Sequence, residues 1–163
     1  MAPAFGADDY ATGQKHGLVM LHMWLEEPTR TAMSERINMP LLGQLGVSFL
    51  RYGEGWVEAE WNPTESACNP VGGVHGGVYA VIHDAAMNFA TNSALEKGES
   101  GATISITYST MRGAKAGDAL SVRGEVVRAT RQIAYLQATV TNAAGEIVSS
   151  ATGQFILRRR PAE

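Results

Sequence analysis

The 163 residues, 45% hydrophobic and 18% charged, suffice for one domain with a real core and exclude a disordered or fibrous chain. A net charge of -3 speaks against a nucleic-acid surface, which needs clustered Lys and Arg; the one dense basic run, Arg158-Arg159-Arg160, reads as a solvated tail. One cysteine, Cys68, rules out an intramolecular disulfide and a zinc site built on cysteines, and nothing near it makes a Cys/His nucleophile signature.

The first ten residues carry Asp8 and Asp9 and lack a basic start with an apolar run, so no signal peptide is expected. Apolar stretches stay well short of the ~20 residues that cross a bilayer, and a soluble cytoplasmic protein is expected. Leu18, Leu21, Trp24 and Leu25 keep helical spacing within 15–25, and 31–42 suits a second short helix with Pro40 near its end. Together these make residues 1–42 an N-terminal helical extension, with the main domain over 43–160.

From Gly43 the period changes to two. Val47 and Phe49, then Trp56, Glu58 and Glu60, alternate around Tyr52-Gly53-Glu54-Gly55, a β-hairpin pattern. A loop rich in turn formers follows through Asn69-Pro70 to Gly72-Gly73. Residues 75–95 then predict one long helix, closed by Lys97-Gly98. Val78, Ile82, Ala85, Ala86 and Phe89 mark one face, while Tyr79, Val81, Met87 and Ala90 make most of the rest apolar, so this helix should be buried. Strands are expected over 102–111, 120–129, 133–141 and 147–157, with turns at Gly117-Asp118, Thr130-Arg131-Gln132 and Asn142-Ala143-Ala144-Gly145. Two strands, a buried helix and four strands predict an α+β fold, an antiparallel sheet packed on a helix.

The chemistry concentrates between Asn69 and Asp84. Gly76 and Gly77 follow His75 where the helix begins, and free N–H groups there suit a carbonyl that gains negative charge under attack. The same glycines would also serve close helix-on-sheet packing. Asp84 is an acid within an otherwise apolar helix, where burial costs several kcal/mol unless the group is paired or solvated. Spacing leaves a second reading open, because Asp84, Asn88 and Asn92 at i, i+4 and i+8 also form a stripe that solvent would suit. His83 and Asp84 are helix neighbours that do not face each other, so they are no ready dyad. His75 and His83 lack the i, i+4 spacing of a metal pair, and His75 suits ordering the helix start better than acting as a base. A Gly-x-Ser-x-Gly elbow is missing as well.

The run Asn69…Gly73-Val74-His75-Gly76-Gly77…Asp84 resembles the hotdog-fold acyl-CoA thioesterases of the PaaI type, which include thioesterase superfamily member 2. Thr103-Ile104-Ser105-Ile106-Thr107-Tyr108-Ser109-Thr110-Met111-Arg112, Gly117-Asp118-Ala119-Leu120 and Ala144-Gly145-Glu146-Ile147-Val148 extend the likeness over 43–157. The resemblance implies a hotdog fold, an antiparallel sheet wrapped around a long central helix. It implies hydrolysis of an acyl-CoA thioester with a medium-chain or aromatic acyl group, without metal or redox cofactor, membrane or nucleic acid.

The resemblance also implies the site. Asp84 is its general base or nucleophile, the Gly76 N–H polarises the carbonyl, and Asn69 comes from the neighbouring subunit of a homodimer or homotetramer. Thr103 stands near the lytic water, and His75, Gly77 and Arg112 line the substrate. Arg112-Gly113 departs from the Arg-Pro of many members, and the leader before Gly43 is longer than usual. A non-catalytic acyl-CoA sensor on the same fold is the alternative, and an intrahelical acid at Asp84 favours the enzyme.

Overall fold

The alternating segments become the strands of a single antiparallel sheet. The computed structural model describes residues 39–96 and 98–159. Strands β1 (Val47–Gly53) and β2 (Trp56–Trp61) form the expected hairpin, turning at Glu54-Gly55 with Gly55 in the left-handed region at φ 77°. On β2, Val57, Ala59 and Trp61 point into the core and Glu58 and Glu60 point out, as period-two patterning requires. A short 3₁₀ turn (Glu65–Ala67) leads to the long helix, and β3 (Ser100–Thr110), β4 (Leu120–Ala129), β5 (Ile133–Asn142) and β6 (Ile147–Arg158) follow. The spatial order is β1-β2-β4-β5-β6-β3, which leaves β1 and β3 as the two edges.

Two helices are described, α1 (Pro40–Leu45) and α2 (Gly76–Ser93). The sheet curls around α2, which touches all six strands. Tyr79, Ile82, Ala85, Ala86, Met87, Phe89 and Ala90 are buried along it, each large side chain contributing ~1.5–3 kcal/mol. Gly124 on β4 is needed for this approach, because a Cβ there would stand 2.5 Å from the Ala86 carbonyl oxygen.

The structure moves three boundaries. Pro40 begins a helix instead of lying near the end of one, since its missing N–H costs nothing in the first turn. Gly46 ends that helix at φ 85°, so β1 starts at Val47, and α1 straddles the expected domain start at 43. Helix α2 stops at Ser93, before Gly98, because the N–H groups of Ala94 and Leu95 tighten onto the Thr91 and Asn92 carbonyls. The basic run is only partly a tail: Arg158 closes β6, and Arg159 pairs with buried Glu99 at 3.4 Å. The helix expected at 15–25, most of that at 31–42, and Arg160 lie outside the described residues. No helix among those described is long and apolar enough to cross a membrane.

Candidate active site

His75 caps α2 with extended backbone angles, and its Nδ1 accepts the Gly77 N–H at 3.1 Å. The Val78 N–H is taken by the His75 carbonyl at 2.9 Å. That leaves the Gly76 N–H free of any described partner, at an exposed residue with nothing within 4 Å of where a Cβ would stand. Tyr108 on β3 fixes the same residue from behind, its hydroxyl donating to the Gly76 carbonyl at 3.3 Å. Nothing in the sequence pattern singled out Tyr108, because the link spans 32 residues.

The approach to this helix start is a folded loop. Asn69 Oδ1 accepts the N–H groups of Val71 and Gly73 at 3.0 and 3.2 Å, and the Gly72 N–H returns to the Asn69 carbonyl at 2.9 Å. The Asn69 oxygen is therefore spent on its own turn, and its Nδ2 is the group left for another molecule. Val74 pairs with the Ala114 carbonyl at 2.7 Å, tying the loop after β3 to the start of α2.

Asp84 lies half-buried two turns further along, and Thr103 on edge strand β3 donates its hydroxyl to Asp84 Oδ1 at 2.6 Å. This bond joins two of the sequence candidates across 19 residues and leaves Oδ2 without a hydrogen bond among the described residues. The stripe below Asp84 is not a solvent face: Asn88 is half-buried, Asn92 is buried, and the Asn92 amide donates to Asn88 Oδ1 at 2.7 Å.

His83 turns the other way and is fully buried. Ser149 donates its hydroxyl to the Ser109 carbonyl at 2.9 Å, so the 2.8 Å contact between His83 Nε2 and Ser149 Oγ must be donated by the imidazole. His83 is thus neutral with its proton on Nε2, and desolvation lowers its pKa from 6.5 to about 4. Its Nδ1 is buried without a hydrogen-bond partner among the described residues. His83 and Asp84 make no dyad, as their helical spacing implied.

Arg112 holds Glu146 at 3.1 Å and the Ile147 carbonyl at 2.8 Å, an exposed brace on the β5–β6 turn. Its guanidinium beside Glu146, together with the Asn142 amide, keeps that carboxyl below the ordinary range, the Asn142 bond being the larger influence. Along α2, Gly76 and Asp84 are eight residues apart, ~12 Å of helix rise. One chain therefore brings Asp84 to Thr103, and Gly76 to His75 and Gly77, but leaves these two groups separate.

The family model of the thioesterase superfamily matches residues 71–149, the stretch that holds Gly76, Asp84 and Thr103. A Haemophilus influenzae thioesterase has the same fold, with a TM-score of 0.74 and 19% identity over 82% of this chain and 93% of that one. The Escherichia coli PaaI protein of the phenylacetic acid degradation operon gives 0.69 and 21% over 88% and 96%. The protein has the hotdog fold of the thioesterase superfamily. A hypothetical thioesterase of Streptococcus pneumoniae, seen with coenzyme A, shares this hotdog at a TM-score of 0.65 and 22% identity, over 71% of this chain and 88% of that one. The PaaI-type likeness carried by the motif segment thus extends over the hotdog sheet and its central helix.

Proposed function

We propose that the protein hydrolyses acyl-CoA thioesters, with a medium-chain or aromatic acyl group, to the free acid and coenzyme A. The observation that carries this reading is Asp84, a half-buried carboxylate within an apolar helix whose Oδ1 is held by Thr103 while Oδ2 stays open. In a thioesterase-superfamily hotdog, Oδ2 is the atom that takes a proton from water or attacks the carbonyl carbon. The Thr103 hydroxyl, donating to Oδ1, fixes the direction of the carboxyl group. The free Gly76 N–H at a helix start offers a donor to the oxygen that becomes negative as the thioester is attacked. Asn69 Nδ2 adds a second donor, and His75, by taking the Gly77 N–H, orders the turn that presents Gly76. Gly77 and Arg112 would line the substrate, Arg112 from its brace on Glu146 and the Ile147 carbonyl. No cofactor is needed for these steps.

The ~12 Å between Gly76 and Asp84 on one helix suits a site that draws them from two chains. Strand β3 supports such an assembly: it is an eleven-residue edge with no charged residue, and natural edges of that length are usually blunted by charge or proline. A homodimer pairing β3 with its copy, or two such dimers in a tetramer, would complete the site. Free-thiol release across a panel of acyl-CoA esters tests the activity, and silence for every ester refutes it. Mixing Asn69→Ala and Asp84→Ala proteins tests the shared site. Activity should return once subunits exchange, since a mixed dimer holds one site with both residues. Exchange proved by tagged pull-down without recovery would mean that the two residues act within one chain or that Asn69 is not catalytic.

A further inference from the structure

Asn88 sits one helical turn beyond Asp84 on the same stripe of α2, ~6 Å along the axis. The direction of its amide follows from its neighbour. Asn92 Nδ2 donates both to the Asn88 backbone carbonyl at 2.9 Å and to Asn88 Oδ1 at 2.7 Å. A flipped Asn92 would set oxygen against a carbonyl oxygen, so its NH₂ must face Asn88, and Asn88 must return its oxygen. The Asn88 NH₂ therefore points away from Asn92. It makes no hydrogen bond to any described residue, and it is not among the buried polar atoms left without a partner. A half-buried, pre-aimed donor beside a carboxylate that handles the reacting carbon has the position of a recognition group.

We infer that Asn88 is a specificity residue, which rests on the thioesterase reading: its amide selects acyl groups carrying a hydrogen-bond acceptor ~6 Å from the thioester carbon. In a flexible chain that distance is reached by an oxygen on the fifth carbon. An acyl group without it leaves the amide unpaired when the site closes, and the loss falls on the transition state for that ester.

The test compares hexanoyl-CoA with 5-oxohexanoyl-CoA, which differ by one acceptor. Wild-type protein should favour the oxo ester in kcat/KM by about 3- to 10-fold, the range of one neutral hydrogen bond. Asn88→Ala should bring the ratio close to one, Asn88→Gln should recover part of it, and Asn88→Asp should reverse it by setting carboxylate against acceptor. Equal turnover of the two esters by wild-type protein, or an unchanged ratio in Asn88→Ala, would overturn the inference. So would a fall in oligomer mass in Asn88→Ala, because the amide would then belong to a subunit contact. If neither ester releases thiol, the hydrolase reading fails separately. Calorimetric affinities of the same two esters then read the Asn88 preference, and equal affinities overturn it.

Discussion

His83 and Asp84 are neighbours in sequence, yet the two flanks of α2 treat them oppositely. On the His83 flank the helix presses on the sheet, and the imidazole is sealed in as a neutral donor to Ser149. On the Asp84 flank the helix meets edge strand β3, where a threonine replaces dense packing and the carboxylate keeps one oxygen open. A turn of about 100° per residue is enough to send one ionisable group into the sheet and leave the next half-buried beside a threonine hydroxyl. What separates them is the cover each receives: His83 meets Ser149 of interior strand β6 and the Tyr108 ring of β3, whereas Asp84 meets the Thr103 hydroxyl and stays half-buried.

Removing the open carboxylate oxygen is the most damaging way to break this comparison. Asp84→Asn keeps the shape and loses the base, and thiol release should drop by about 10²–10⁴-fold while circular dichroism and oligomer mass stay as in wild type. A folded Asp84→Asn protein with near wild-type rates would remove Asp84 from the mechanism.

The buried flank should register in stability. His83 binds its proton only near pH 4 when folded, whereas an unfolded chain binds it near 6.5, so the unfolded state carries more protons between those values. Stability is then fully present above pH ~6.5, falls as pH drops toward 4 and levels off below, a loss of about 3 kcal/mol from this group. Urea titrations at a series of pH values should show the slope, and His83→Gln should flatten it relative to wild type. Equal slopes in the two proteins would mean that the imidazole is not held neutral.

The smallest effect should come from the bond that defines the open flank. Thr103→Val keeps the volume but removes the donor to Asp84, and kcat/KM should fall by about 3- to 10-fold. Thr103→Ser should restore most of it, which a purely packing role for the threonine methyl would not allow.

Chain order supplied much of this picture. Alternation located β1, β2 and the last four strands, and the apolar surface of 75–95 foretold a helix inside the sheet, because burial is written directly into residue type. The Gly-rich helix start was equally legible, since backbone donors need only a helix end and small residues. The stripe Asp84, Asn88, Asn92 was not. Spacing fitted a wet face as well as a half-buried one, and Asp84 is half-buried with the hydroxyl of Thr103, from another element, bonded to it. Tyr108 behind Gly76 and Ser149 behind His83 were invisible for the same reason.

The sequence by itself determined which segments are strands and that α2 is interior with an acid, Asp84, set in it; these follow from local periodicity. Only the tertiary structure decided which way each polar group faces. That choice depends on contacts between residues 19 to 66 positions apart. His83 meets Ser149 and Asp84 meets Thr103 because the curled sheet brings those strands against α2, and no pattern along the chain encodes that proximity.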